Sequence, residues 1–251
     1  MMRISRLMLA VGITASATLA SASDVRMEPA PIQTVFIPQG FDTNDLTEVV
    51  LHGYLPNGCY KPGTVSAEVD HGKDGEIGTV YIDALVAHNT QAFCAEILVE
   101  YSEVVRVGYL KNKAYQVQLR SHGVTLNQEI DVALSQTQGP DNHIYLPVES
   151  VEVTAKDGSQ ELVLRGTYTP QDKNCLMPDR YEIYRAPENV IIVLPIGKVE
   201  ACAKGQPPGS FVYRVPLGDD VQVGKGTLVH VRSLNGRSVN KVYDWTLFLG
   251  R

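Results

Sequence analysis

The stretch Glu48-Val49-Val50-Leu51-His52-Gly53 returns 113 positions later (161 − 48) as Glu161-Leu162-Val163-Leu164-Arg165-Gly166. Each copy places three aliphatic side chains between a glutamate and a glycine, and such runs are typical of β-strands. The same strand at two places in one chain predicts two copies of one structural unit.

The same offset is kept far downstream of this strand. Gly123 matches Gly236, and Asn127 matches Asn240. An offset that holds from residue 48 to residue 127 is too long for a chance match of one short motif. It predicts two tandem domains rather than two similar strands within one domain.

The segments between these anchors show the pattern of short strands and turns. Tyr115 to Arg120 alternates polar and apolar side chains, and Asn235-Gly236 is the strongest hairpin dipeptide in the chain. No stretch shows a long helical period. The sequence therefore predicts an all-β fold of two tandem, disulfide-bonded β-sandwich domains at residues 45–138 and 139–251.

The linker from Gly139 to Asn142 is rich in turn-forming residues. Linkers of this composition usually separate domains between which few contacts cross. We therefore expect residues 141–251 to fold as an independent unit.

The chain contains four cysteines, two in each copy of the repeat. In an oxidising compartment cysteines spaced in this way form disulfides. Because each copy must close its own bridge if it folds alone, we predict Cys59–Cys94 and Cys175–Cys202.

The first residues have the pattern of a cleaved export signal. Arg3 and Arg6 precede an apolar segment, which ends at the small residues Ala20-Ser21-Ala22. This pattern predicts a signal peptide at residues 1–22, and the apolar run is too short to span a bilayer well. We expect a periplasmic or secreted protein with no membrane span.

Residues 23–44 form a proline-rich segment that we predict to be an extended leader. Within it, residues 32–37 are apolar and lie between Pro31 and Pro38. We expect this segment to pack as an edge strand on its own first domain, while pairing with another subunit is the alternative.

One local motif resembles a known group of proteins. Gly53-Tyr54-Leu55-Pro56-Asn57-Gly58-Cys59-Tyr60 is similar to a strand end, Gly-x-x-Pro-x-x-Cys, of uncharacterised exported bacterial proteins with tandem immunoglobulin-like β-sandwich domains. The resemblance is at the level of the fold and implies immunoglobulin-like domains. It implies no activity.

Several functional classes are excluded or disfavoured by what the sequence contains. The formal net charge of −6 argues against a nucleic-acid-binding surface, which needs clustered basic residues. No nucleophile elbow, phosphate loop, dinucleotide fingerprint or metal-ligand spacing is present in the sequence. We therefore expect no enzymatic activity, no cofactor and no metal.

The remaining function is binding. We predict an exported, non-enzymatic binding or scaffold protein, as an accessory subunit of a cell-envelope assembly with a protein partner. One alternative is an adhesin or carbohydrate-binding module, for which Tyr54, Tyr60 and Tyr109 are the candidate binding residues. The other alternative is a hydrolase with its site between the two domains.

Overall fold

A computed structural model describes residues 24–90, 92–139, 141–156, 159–168, 174–201, 209–218, 223–224 and 226–243. The predicted signal peptide lies outside these ranges. Within them the fold is all-β, as predicted, with one short 3-10 turn at Arg120–His122. None of the described residues belongs to a helix long and apolar enough to cross a membrane.

The first copy of the repeat contains nine strands. They are β1 (Val25–Pro29), β2 (Ile32–Phe36), β3 (Phe41–Asp42), β4 (Thr47–Leu55), β5 (Tyr60–Asp70), β6 (Gly78–Asn89), β7 (Val99–Gly108), β8 (Ala114–Leu119) and β9 (Val124–Ala133).

The second copy contributes seven strands to the described part of the chain. They are β10 (Val148–Lys156), β11 (Ser159–Tyr168), β12 (Asn174–Ala186), β13 (Val190–Ala201), β14 (Gly209–Pro216), β15 (Thr227–Ser233) and β16 (Arg237–Tyr243).

The two copies share one topology. In the first repeat a sheet of order β2-β4-β7 faces a sheet in which β5, β6, β8 and β9 are neighbours in that order. The second repeat has the orders β10-β11-β14 and β12-β13-β15-β16. The strand order therefore matches between the copies. The first repeat adds β1, which pairs with β6, and β3, which pairs with β9.

The repeated glycine has the same structural role in both copies. Gly53 lies opposite a bulge in β2, and Gly166 lies opposite a bulge in β10. A Cβ atom at Gly53 would come within 2.1 Å of the Pro31 carbonyl oxygen, and one at Gly166 within 2.0 Å of that of Pro147. Only glycine fits at these positions, because the backbone of the neighbouring strand occupies the side-chain space.

The second repeated glycine closes an equivalent turn. Gly123 follows β8 with φ +63°, and Gly236 follows β15 with φ +65°. Asn235 also has a positive φ, so Asn235-Gly236 forms the hairpin that its sequence predicts.

In each repeat one strand pair departs from the immunoglobulin arrangement. β6 runs parallel to β8, and β13 runs parallel to β15 in the equivalent place. Immunoglobulin sandwiches are built from antiparallel sheets. The all-β prediction is confirmed, and the immunoglobulin-like part of it is not.

Each repeat has a core between its two sheets. In the first repeat Val49 and Leu51 of β4 pack against Val80 and Ile82 of β6. In the second repeat Leu162 and Leu164 of β11 take the places of the β4 residues and pack against aliphatic side chains of β13 and β15.

A third apolar cluster joins the two repeats. It is formed by fully or almost fully buried side chains of both copies: Phe36 and Val50 from the first, and Val190, Ile192, Leu228 and Val242 from the second. The expectation that few contacts cross between the repeats is therefore wrong. The outer face of β2-β4 is covered by the outer face of the larger sheet of the second repeat.

The predicted leader is part of the first repeat. Its apolar segment forms β2, which pairs antiparallel with β4 of the same chain. β1 pairs with β6, and β3 pairs with β9. The segment at residues 32–37 is thus covered by its own repeat, which is the expected arrangement rather than the alternative.

One predicted disulfide is present in the structure. Cys59 and Cys94 are bonded, with their Cα atoms 5.3 Å apart. Cys175 is also disulfide-bonded. Its predicted partner, Cys202, lies outside the described residues, so that pairing stays a prediction.

A candidate functional site between the two repeats

The contact between the repeats includes a buried polar network centred on Glu48. The side chains of Ser238 and Asn240 donate hydrogen bonds to Glu48 Oε1, Asn240 from 2.7 Å. His230 Nδ1 lies 2.8 Å from Asn240 Oδ1. Because the amide nitrogen of Asn240 is the group that donates to Glu48, its oxygen must accept the proton of His230 Nδ1.

His230 is disfavoured as a cation in the folded protein. Its side chain is fully buried, and Nε2 has no hydrogen-bond partner within the described ranges. Burial and the nearby Arg232 lower the pKa of His230 from 6.5 to about 4, against the opposing effects of Glu48 and Asn240. A second proton on the ring would be placed on a buried nitrogen without an acceptor.

We expect the free energy of unfolding to fall as the pH is lowered from 6.5 to about 4. In this window His230 takes up a proton in the unfolded chain but not in the folded one, so stability present above pH 6.5 is lost. The loss attributable to His230 is roughly 3 kcal/mol. Denaturant unfolding at a series of pH values measures the slope.

The matched variants for this measurement are His230→Gln and His122→Gln. His122 is exposed, so its replacement should leave the slope unchanged. His230→Gln should flatten the slope relative to the wild type, whatever its effect on stability at neutral pH. An equal slope in the wild type and in His230→Gln would show that His230 is not the group responsible.

A second polar contact between the repeats is the ion pair of Arg232 and Asp45. Arg232 Nη2 donates to Asp45 Oδ2 at 2.8 Å and to the Gly40 carbonyl oxygen at 3.1 Å. The guanidinium group lies over the ring of Phe41, 4.7 Å from its centroid. Both charged side chains are almost fully buried, and burial raises the pKa of Asp45 despite the arginine.

Replacement of Asp45 by alanine is expected to destabilise the protein by about 3–5 kcal/mol, because Arg232 is left as a buried charge without its partner. Denaturant unfolding at neutral pH checks this. Glu68→Ala is the control, since it breaks the exposed pair of Glu68 with Arg120 and should change stability little. Equal effects of the two substitutions would contradict the importance of the buried pair.

Beside this ion pair the seam between the repeats opens into a cleft of about 430 Å³. Such a volume is typical of sites for small molecules or for a few side chains of a partner. The cleft is lined by residues of both repeats and of the linker between them: Gln39, Gly40, Asp42, Asp45, Asp141, Asn142, His143, Tyr145, Glu182, Tyr184, Arg185, Ala186, Pro187, Ile192, Leu194 and Arg232.

The linker is fixed in place at the cleft. Asn142 Nδ2 donates to Asp42 Oδ2 at 3.2 Å, and the backbone nitrogen of Gly236 donates to Asp141 Oδ2 at 3.1 Å. Asn44 Nδ2 donates to the carbonyl oxygens of Thr137 and Gly139 at 2.6 and 3.0 Å. The linker thus forms one wall of the cleft.

Two side chains in the cleft keep unused hydrogen-bonding capacity. Asp141 Oδ1 is buried and has no partner among the described residues, and burial raises the pKa of this carboxyl group. Tyr145 is only 6% exposed, and within the described ranges its hydroxyl makes no hydrogen bond. Burial raises the pKa of Tyr145 to about 12. Buried polar groups normally have partners, so Asp141 Oδ1 can accept a further hydrogen bond.

The other carboxylates of the cleft already accept hydrogen bonds from the protein. Asp45 Oδ2 accepts from the Asp42 backbone and from Arg232, and Asp42 accepts from the Asn44 backbone and from Asn142. Glu182 accepts from Tyr184 at 2.5 Å and from Arg180. These hydrogen bonds hold the three carboxylates in fixed positions.

A second cavity, of about 600 Å³, lies along the same seam between the repeats. It is more basic than the cleft, because Arg106 and Arg237 contribute to its wall. Tyr109, a predicted binding residue, lies here with its side chain mostly exposed.

The structure does not bring the three predicted tyrosines together. Tyr54 pairs with Glu100 at one end of β4, whereas Tyr109 directly follows Gly108, which pairs with Thr47 at the other end. Seven residues of strand separate these ends by about 23 Å. Tyr60 belongs to the other sheet, where its ring is stacked on His88 with centroids 4.0 Å apart.

Sequence reasoning missed the residues of the cleft. In β15, Val229-His230-Val231-Arg232 alternates in the sequence like a strand with one solvated face, but all seven residues of the strand are buried in the structure. Burial on both faces shows that a second layer covers this strand. No sequence pattern marked Asp141 or Tyr145.

Comparisons with family models, with curated proteins and with solved structures found no match to this chain.

Proposed function

We propose that this chain is an exported, non-enzymatic binding protein of two tandem β-sandwich domains, which engages a protein partner of the cell envelope through the cleft between its repeats. The observation that carries the proposal is Asp141 Oδ1, a buried oxygen without a donor among the described residues, beside Tyr145 in a cleft whose walls are fixed by a buried interface. The disulfide between Cys59 and Cys94 supports an oxidising compartment.

A protein partner is also supported by an exposed apolar loop. Phe93, Ile97 and Leu98 lie with their side chains in solvent, next to the disulfide that holds the loop. A cluster of exposed apolar side chains on a tethered loop is more typical of an interaction surface than of a solvated one.

The binding function is tested by photo-crosslinking in the cells that make the protein. A photoreactive amino acid replaces exposed His143 at the cleft in one variant and exposed Val124 on β9 in the control. The proposal predicts one defined protein adduct from position 143 and none from position 124. No adduct from position 143, or the same adduct from both positions, would contradict it.

Hydrolysis in the cleft is the second candidate function. It is favoured by Asp45 and Asp141, two carboxyl groups of raised pKa that line one cleft. The measurement is turnover of ester, glycoside or phosphate substrates by the wild type and by Asp141→Asn. Turnover by the wild type that is lost in Asp141→Asn would favour hydrolysis over the binding function. The carbohydrate-binding alternative gains no support from the tyrosines, because Tyr54, Tyr60 and Tyr109 do not share a surface.

A further inference from the structure

We propose that the cleft binds an organic cation, the ammonium or guanidinium group of a lysine or arginine side chain of the partner. This inference rests on the proposed function, since it names the chemical group that enters the cleft. The ligand group would contact Asp141 Oδ1 and the Tyr145 hydroxyl, with its aliphatic stem along the apolar wall.

The charge of the cleft favours a cation. Four carboxylates line it, namely Asp42, Asp45, Asp141 and Glu182, together with Arg185 and Arg232. Arg232 is paired with Asp45 at 2.8 Å, and Arg180, outside the lining, is paired with Glu182 at 3.3 Å. Asp42 and Asp141 remain against the exposed Arg185, so the net charge is negative and a cation gains more there than an anion or a neutral group.

The second argument is the position of the unused acceptors. Asp141 Oδ1 has no donor in the described part of the chain, and Gly236 satisfies only Oδ2. Tyr145 lines the same cleft as Asp141. The oxygen of its hydroxyl group can accept a hydrogen bond from a cationic donor.

The third argument is the wall beside these acceptors. Ile192 and Leu194 of β13 contribute aliphatic surface, and Tyr145 and Tyr184 contribute aromatic rings. Lysine and arginine bury aliphatic stems while their charged ends reach polar groups. Aromatic faces further favour a bound cation.

A metal ion fits the cleft less well than an organic cation. Across the described ranges, no three carboxylate, histidine or cysteine side chains are grouped so that they could share a metal ion. A divalent metal requires several converging oxygen ligands. The carboxylate oxygen of Asp141 and the hydroxyl group of Tyr145 can instead accept two of the three hydrogen bonds that an ammonium group donates.

The test is a titration of the full ¹⁵N-labelled chain, followed through its amide shifts. The probes are Nα-acetyl-lysine methylamide, which presents the side chain as a peptide does, putrescine as a free amine, and Nα-acetyl-norleucine methylamide as the neutral analogue. We expect the lysine probe to shift the amides of Asn142, His143 and Gly236, and the norleucine probe to leave them unchanged. Weaker binding of putrescine than of the lysine probe would support a peptide side chain as the source of the cation.

The matched variants are Asp141→Asn and Asp74→Asn. Both remove one negative charge, but Asp74 lies exposed in the turn between β5 and β6. Asp141→Asn should weaken the binding of the lysine probe about tenfold or more, because a charged hydrogen bond is lost, whereas Asp74→Asn should leave this binding unchanged. Tyr145→Phe should weaken the binding of the lysine probe to a smaller extent.

Two outcomes would overturn the cation proposal. One is equal binding of the lysine and norleucine probes, and the other is the absence of any shift at the cleft with the lysine probe. Neither outcome depends on the crosslinking result. If position 143 forms a partner adduct but the lysine probe does not bind, the proposed binding function stands and the proposed cationic ligand is wrong. Tighter binding of putrescine than of the lysine probe would also overturn it, because the source would then be a free amine.

Discussion

A fragment of residues 141–251 is expected to be molten or insoluble, whereas the full chain unfolds cooperatively. The fragment would expose Val190, Ile192, Leu228 and Val242, which are buried against Phe36 and Val50 in the intact protein. Burial of each such side chain contributes about 1.5–3 kcal/mol. The total stability of a domain is only about 5–15 kcal/mol, so their exposure removes much of it. Circular dichroism and amide spectra of the fragment measure the outcome.

A second fragment separates the interface from an inherent folding defect. In it Val190, Ile192 and Leu228 are replaced by threonine, which keeps the branched shape suited to a strand and removes much of the apolar surface. This fragment should be more soluble than the unaltered one. A well-dispersed spectrum and a cooperative transition from the unaltered fragment would contradict the importance of the interface.

Gly53→Ala and Gly166→Ala are expected to have equally large effects on stability. In each case the new methyl group would lie about 2 Å from a backbone carbonyl oxygen, Pro31 in one repeat and Pro147 in the other. A backbone atom cannot move aside as a side chain does, so the strand pair at the bulge must separate. We expect a loss of about 3 kcal/mol or more in each variant.

The control for the glycine variants is Gly139→Ala in the linker. Its Cβ atom would have no neighbour closer than 3.9 Å, so the melting temperature should hardly change. A wild-type melting temperature in Gly53→Ala or Gly166→Ala would show that these glycines do not set the strand pairing.

The repeat could be predicted from the sequence because its anchors carry local physical constraints. Gly53 and Gly166 are required by close backbone approach, and Gly123 and Gly236 by positive φ. Constraints of this kind act on single positions, so they remain visible as identical residues at a fixed offset.

The turn-rich linker favours independent domains, whereas the interface depends on the outward-facing residues of the strands. In β8, Gln116 and Gln118 alternate with core residues, which is typical of a sheet with one solvated face. The equivalent β15 has Leu228 and His230 at its outward positions. An apolar side chain at such a position, Leu228, fits the covered outer face of the larger sheet of the second repeat.

The cleft itself could not be predicted, because its residues come from segments that are distant in the sequence. Asp45, Asp141 and Arg232 meet only once the repeats are packed together. Each of these residues alone has the sequence context of an ordinary turn or strand. No local pattern records which of their oxygens remains without a donor.

The most direct test of the account is differential scanning calorimetry of the full chain with its disulfides intact. If the buried interface makes the two repeats one cooperative unit with a fixed cleft, the full chain unfolds in a single transition. In that transition the calorimetric enthalpy equals the van't Hoff enthalpy. Two resolved transitions, each unaffected by Asp45→Ala, would show that the repeats unfold independently, and would contradict this account.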